Sequence, residues 1–84
     1  MSELQSLFDA AVAQSRALTE RPDNATLLKI YGLYKQATVG DNLEKKPAAS
    51  DLVGHAQWEA WDACRGLDSD SAKQQYVALI QQLP

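Results

Sequence analysis

Tyr31, Tyr34 and Lys35 are spaced i, i+3 and i+4, which on a helix places two phenols and an ammonium on one face. A phenol has a flat apolar surface that can stack on a purine and a hydroxyl that can donate to a phosphate, while the ammonium neutralises phosphate charge. That combination suits a nucleotide. The same spacing also suits two core tyrosines with hydroxyls at the surface beside a solvated lysine, which is the commoner arrangement. Catalytic chemistry is not legible anywhere: the chain has one histidine, with no nucleophile–base pairing, no metal-ligand cluster and no glycine-rich phosphate loop. The expectation is therefore a binding protein with no enzymatic activity, no metal and no cofactor.

Composition narrows the partners. The formal net charge is −3, with an isoelectric point near 4.9. Nucleic acid is thereby disfavoured, because phosphate-backbone binding needs a surplus of Lys and Arg on one face. Cys64 is the single cysteine, so an internal disulfide is impossible and a reducing, cytoplasmic setting fits. On the apolar stripe of its helix it reads as an inert small hydrophobe. No apolar run approaches the roughly 20 residues of a membrane-spanning helix, and Met1-Ser2-Glu3 lacks the start of a secretory signal. At 84 residues, 45% hydrophobic and 23% charged, the chain is expected to form one packed domain over residues 1–84, as a monomer.

Four helices must carry these side chains. Ser2-x-x-Gln5 has the form of a capping box, and Leu4, Leu7, Phe8, Ala11, Val12, Ser15 and Leu18 repeat at helical spacing, predicting a first helix to Leu18–Glu20. Arg21-Pro22 breaks it, and Asp23 or Asn24 caps a second helix that carries Leu27, Ile30, Tyr31 and Tyr34 up to Gly40. A polar loop with Pro47 follows, the longest connection in the chain. Ser50 or Asp51 opens a third helix bearing Val53, Ala56, Ala60, Trp61 and Cys64, stopped by Gly66. Asp68 or Ser69 opens a fourth, with Ala72, Tyr76, Leu79, Ile80 and Leu83 in a stripe. The fold class is all-α, a four-helix bundle. The long loop could let helices two and three run in the same direction, a point that spacing leaves open.

The run Leu28-Lys29-Ile30-Tyr31-Gly32-Leu33-Tyr34-Lys35-Gln36-Ala37-Thr38-Val39-Gly40-Asp41 resembles the signature of the acyl-CoA-binding protein family, Y-x-x-Y-K-Q-A-T-x-G-D. The resemblance extends to Phe8, Leu18, Pro22, the W-x-A-W-like Trp58-Glu59-Ala60-Trp61, Gly66 and Tyr76. It implies an up-down-down-up bundle with a long crossover between helices two and three. It also implies a non-catalytic intracellular carrier that buffers and transports long-chain fatty acyl-CoA, with transient contact to membranes or acyl-CoA-using enzymes. Carried over residue by residue, Tyr31 and Lys35 should meet the ribose 3′-phosphate, with Gly32 and Leu33 in the same binding run, and Tyr34 should stack on adenine. Arg16 should lie near the CoA phosphates, Gln57 at its position on helix three should also contact the ligand, Tyr76 should close the site, and Leu27, Leu28 and Ala56 should line the acyl groove.

The third helix departs from the family pattern. Gln57, before Trp58, stands where a phosphate-binding lysine is usual, and Val53 replaces a second common lysine. A charged hydrogen bond is worth roughly 1.5–3 kcal/mol, so these losses imply weaker CoA binding, by about one to two orders of magnitude. His55 would supply a cation in their place if it turned toward the phosphate; otherwise it is a neutral surface histidine. The departures also motivate an alternative, a helical protein-interaction module of the same fold with weakened or lost acyl-CoA binding. Trp61 and Phe8 read as core, Trp58 as core or ligand contact, and Lys45-Lys46 as solvated loop charge. Ser15 stands where the family more often has an apolar residue against helix four.

Overall fold

A computed structural model describes residues 2–84. The helices are α1 (Glu3–Ser15), α2 (Asn24–Thr38), α3 (Leu52–Asp62) and α4 (Ser69–Gln81). Each begins at a side-chain cap: Ser2 accepts from the Gln5 N–H, Asp23 from Thr26, Asp51 from Gly54 and Asp68 from Ser71, satisfying N–H groups that have no intrahelical partner. The capping box at Ser2 is half-built, because the Gln5 side chain bonds Asp9 and Lys73.

Two helices end earlier than their periodicity suggests. In α1 the Ser15 hydroxyl donates to the Val12 carbonyl at 2.6 Å. The Arg16 and Ala17 N–H groups then bond three residues back, to Ala13 and Gln14, the tightening expected where a serine competes for backbone carbonyls. In α3 the same three-residue pattern takes over after Asp62 and runs through Cys64 and Arg65 to Leu67, with Gly66 at φ 91°. Cys64 therefore lies in a turn.

Backbone packing runs α1 on α4, α4 on α2 and α2 on α3, so the spatial order is α3–α2–α4–α1 in a flat body of 38 × 29 × 14 Å. Directions follow from the contacts. Leu27 and Leu28, early in α2, share a hollow with Val53 and Ala56, early in α3, and Trp61, late in α3, bonds Gly40 past the end of α2. These two helices are thus parallel. Ser69, opening α4, bonds the Ala37 carbonyl late in α2, which makes α2 and α4 antiparallel. Gln5 meets Lys73 and the Thr19 N–H meets the Pro84 carbonyl, so α1 and α4 are parallel. The order is up-down-down-up.

Parallel α2 and α3 require residues 39–51 to return the length of the bundle, and that crossover is pinned by polar contacts. Asn42, 1% exposed, donates to the Trp58 carbonyl and accepts from the Glu44 N–H; the Arg65 guanidinium donates to the Asn42 carbonyl at 2.7 Å. The Trp58 and Trp61 indoles donate to Glu44 and Gly40 carbonyls. The main core, Phe8, Ala11, Leu33, Ala37, Ala72, Tyr76, Val77 and Ile80, lies between α1, α2 and α4.

Candidate functional site

α2 lies in the middle of the layer, and two of the hollows beside its N-terminal half meet at Leu27 and Tyr31. One, of about 390 Å³, is bounded by Arg21, Asn24, Leu27, Leu28 and Tyr31 on one side and by Leu52, Val53, Ala56 and Gln57 of α3 on the other. The second, of about 280 Å³, is lined by Val12, Ser15, Arg16, Leu27, Ile30, Tyr31, Tyr34 and Tyr76. Leu27 and Tyr31 border both, so an elongated molecule could pass from the apolar α2–α3 groove across Tyr31 to the aromatic and basic surface facing α1 and α4.

Three tyrosines from two helices converge there. Tyr34 lies 6.1 Å from Phe8 in a near-parallel arrangement and 6.3 Å from Tyr76, and Phe8 meets Tyr76 edge-on at 5.1 Å. Because α1 and α2 make no close backbone contact, they meet through side chains, this ring cluster and the shared core among them. Gln36 Oε1 is the one buried side-chain polar atom without a partner among the described residues. Among the described residues neither the Tyr31 nor the Tyr76 hydroxyl has a protein hydrogen-bond partner; Tyr31 is half-buried and Tyr76 is 2% exposed. Tyr34 is 38% exposed.

Lys35 turns the other way. Its ammonium lies 4.7 Å from the centre of the Trp61 ring, a cation–π contact on the α3 side of α2, so the i, i+3, i+4 set spans the helix's outer face. Gly32 and Leu33, between these residues in sequence, are not brought to that surface by their side-chain positions. A Cβ on Gly32 would strike the Ala60 carbonyl, and Leu33 is 2% exposed in the core.

The cations are unevenly placed. Arg16 follows α1 directly, where positive charge is favoured by the helix dipole. Arg21, which sequence reasoning treated only as part of a helix break, lines the α2–α3 groove; the signal that could have found it is its basic charge two residues before a helix cap. On the α3 wall Val53 is 69% exposed and Gln57 is uncharged, as the sequence implied. His55 does not supply the missing charge. It lines neither hollow, and its Nε2 is 3.8 Å from Glu59, because the helical turn of about 100° per residue rotates it away from Val53 and Gln57. Glu59 also pairs with Lys46 at 2.8 Å, and that ammonium, first by hydrogen bonding, holds the Glu59 carboxyl below its ordinary range. Lys46 also covers the Trp58 ring at 5.4 Å, so Trp58 is occupied by the crossover. Burial pushes the Cys64 thiol up, leaving it a poor nucleophile.

A model of the family described as "Acyl CoA binding protein" matches residues 5–80. The chain belongs to the acyl-CoA-binding protein family. It is 50% identical over 76 residues to acyl-CoA-binding protein homolog 1 of Caenorhabditis elegans, covering 90% of this chain and 88% of that one. It is 43% identical over the same span to the Drosophila melanogaster homolog, with the same coverage of both chains. The fold matches the crystal structure of Oryza sativa acyl-CoA-binding protein 2 with a TM-score of 0.91 at 34% identity, covering 95% of this chain and 89% of that one. The family is one of binding proteins and not of catalysts.

Within this family member the signature run divides into two physical parts. Tyr31, Tyr34 and Lys35 face outward, while Gln36 and Asp41 are ties. The Gln36 amide donates to Asp41 at 2.8 Å and to the Leu67 carbonyl at 2.9 Å. Asp41 also accepts from the Gly66 N–H, and that bond first, then Gln36, holds its carboxyl below the usual range. Among the described residues no helix is long and apolar enough to cross a membrane, and no group of His, Cys, Asp and Glu could hold a metal ion.

Proposed function

We propose that this chain, as one domain over residues 1–84, binds long-chain fatty acyl-CoA esters without catalysis, buffers them in the cytoplasm and hands them to membranes or acyl-CoA-using enzymes. The observation that carries this reading is that Leu27 and Tyr31 border both hollows. One side of the pair is apolar, the other aromatic and basic, as a ligand with an acyl tail and a nucleotide head requires. Leu27, Leu28 and Ala56 take the acyl chain. Tyr31 and Lys35 take the ribose 3′-phosphate, Lys35 by swinging off Trp61; the exposed part of Tyr34 meets adenine, and Arg16 and Tyr76 complete the head-group side.

Magnitudes support a ligand that uses both halves. Burying about ten methylenes gains roughly 8 kcal/mol before ordering costs, whereas nanomolar affinity corresponds to about −12 kcal/mol. Neither free fatty acid nor CoA alone should bind as tightly as the ester. Titration calorimetry with palmitoyl-CoA, CoA and palmitate tests this. One-to-one binding of palmitoyl-CoA at micromolar affinity or tighter, well above the other two, is expected. No binding at protein concentrations of tens of micromolar would instead favour the interaction module, the reading motivated by the uncharged α3 wall at Val53 and Gln57.

A further inference from the structure

The α2–α3 groove has one cationic side chain within its lining, and that residue is Arg21. Opposite it stand the uncharged Gln57 and the exposed Val53. Arg21 also lines the neighbouring hollow of about 420 Å³, together with Arg16 and Glu20, so two guanidinium groups approach the same face from either end of the α1–α2 turn. Its hydrogen bonds go to neutral acceptors, the Pro22 carbonyl at 3.3 Å and Asn24 Oδ1 at 3.2 Å. Glu20 and Asp23 are near in sequence, yet the ion pairs among the described residues are Lys46–Glu59, His55–Glu59 and Arg65–Asp62. Asp23 is engaged in capping Thr26. The Arg21 charge thus has no carboxylate partner, and the Asn24 amide holds one edge of its planar fork while other N–H groups stay free.

A guanidinium without an acid, oriented by a neutral amide and set at the rim of an apolar groove, suits a phosphate. Resting on the acyl-CoA reading above, we propose that Arg21 binds a phosphate group of the CoA moiety and supplies, from the α1–α2 turn, the charge that Val53 and Gln57 do not supply from α3. The site's positive wall is then displaced across the groove. The α3 side, with Leu52 and Val53 exposed, is left to apolar contact.

The test is calorimetry on the full chain and its variants Arg21→Gln, Arg21→Lys, Gln57→Lys and the Arg21→Gln/Gln57→Lys pair. Each is titrated with palmitoyl-CoA and with S-palmitoyl-pantetheine, which lacks the phosphates. Arg21→Gln should weaken palmitoyl-CoA by about tenfold and reduce the salt dependence of binding, with S-palmitoyl-pantetheine unchanged; Arg21→Lys should fall between. Gln57→Lys should recover most of the Arg21→Gln loss while improving the unmodified chain by less, the non-additivity expected of two cations serving one anion. Unchanged palmitoyl-CoA affinity in Arg21→Gln, or equal losses for both ligands, overturns the assignment while leaving the acyl-CoA reading intact. An unmodified chain that binds no palmitoyl-CoA overturns both.

Discussion

Replacing Gly32 with alanine tests the contact that sets the distance between α2 and α3. A Cβ at Gly32 would overlap the Ala60 carbonyl oxygen and lie 2.8 Å from its carbon and 3.3 Å from the Trp61 nitrogen. All three are backbone atoms, so no side-chain rotation relieves the clash. Restoring ordinary contact near 3.5 Å requires the helices to part by about 1 Å. The mid-helix Gly→Ala exchange itself favours the folded state by roughly 1 kcal/mol, whereas overpacking of this kind costs about 1–3 kcal/mol. Because the displacement also loosens Leu33 and Trp61, both 2% exposed, the upper end applies and a net loss of about 1–2 kcal/mol is expected. At roughly 4–8 °C per kcal/mol for a domain of this size, the melting temperature should fall by about 5–15 °C. Circular dichroism melts and urea titrations read this directly. Gly40→Ala is the control: its φ of 99° carries backbone strain, but nothing lies within 4 Å of the added Cβ, so it should destabilise by about 1–2 kcal/mol without altering the groove. A Gly32→Ala protein as stable as the unmodified chain would refute the close-approach argument, and widened helices with unimpaired palmitoyl-CoA binding would refute the groove as the acyl site.

Asn42→Ala removes the bonds to Trp58 and Glu44 from a side chain 1% exposed; a loss of about 2–3 kcal/mol in urea denaturation is expected, with unchanged stability counting against the pinned crossover. The Asp41 carboxyl is held low in the fold by Gly66 and Gln36, so its contribution is present above the unfolded value of about 3.9 and is lost as pH falls through the lower folded value. Asp23 and Asp68, held low by their capping bonds, act in the same sense. Asp41→Asn should therefore flatten part of the fall in urea midpoint between about pH 5 and pH 3, and an unaltered slope would remove Asp41 from the account. Tyr31→Phe removes a hydroxyl with no protein partner, so palmitoyl-CoA binding should weaken several-fold, by about 1 kcal/mol, while the melting temperature stays constant; equal affinity would take Tyr31 out of the phosphate site.

Helix number, the four cap regions and the buried stripe of α4 were legible in the sequence because they depend on local chemistry, whereas in α2 the residues that enter the core are Leu33, Gln36 and Ala37, with Leu27, Ile30 and Tyr31 half-buried and Tyr34 exposed. A cap needs one side chain three residues from one N–H, and a stripe needs only the helical period. The ends of α1 and α3 were overestimated for the complementary reason. Periodic apolar residues continued past Ser15 and Asp62, while the backbone had already shifted to three-residue bonds, a choice the pattern does not register.

Tertiary structure decided what each residue of the signature run does. From residue types alone, Tyr31, Gly32, Leu33, Tyr34 and Lys35 form one binding stretch, and Gln36 and Asp41 are simply its continuation. Packing separates them. Gly32 admits the Ala60 backbone, Leu33 enters the core, Lys35 covers Trp61, and Gln36 with Asp41 joins the end of α2 to the turn before α4. Those assignments depend on which helix lies on which side of α2, and that in turn depends on a crossover whose anchors, Asn42 to Trp58 and Arg65 to Asn42, span 16 and 23 residues. Bonds of that separation leave no periodic trace in a sequence. Family membership, the helices and the residues able to do chemistry could be read from the order of residues; the surface on which Arg21 meets the groove, and His55 does not, exists only once the helices are packed.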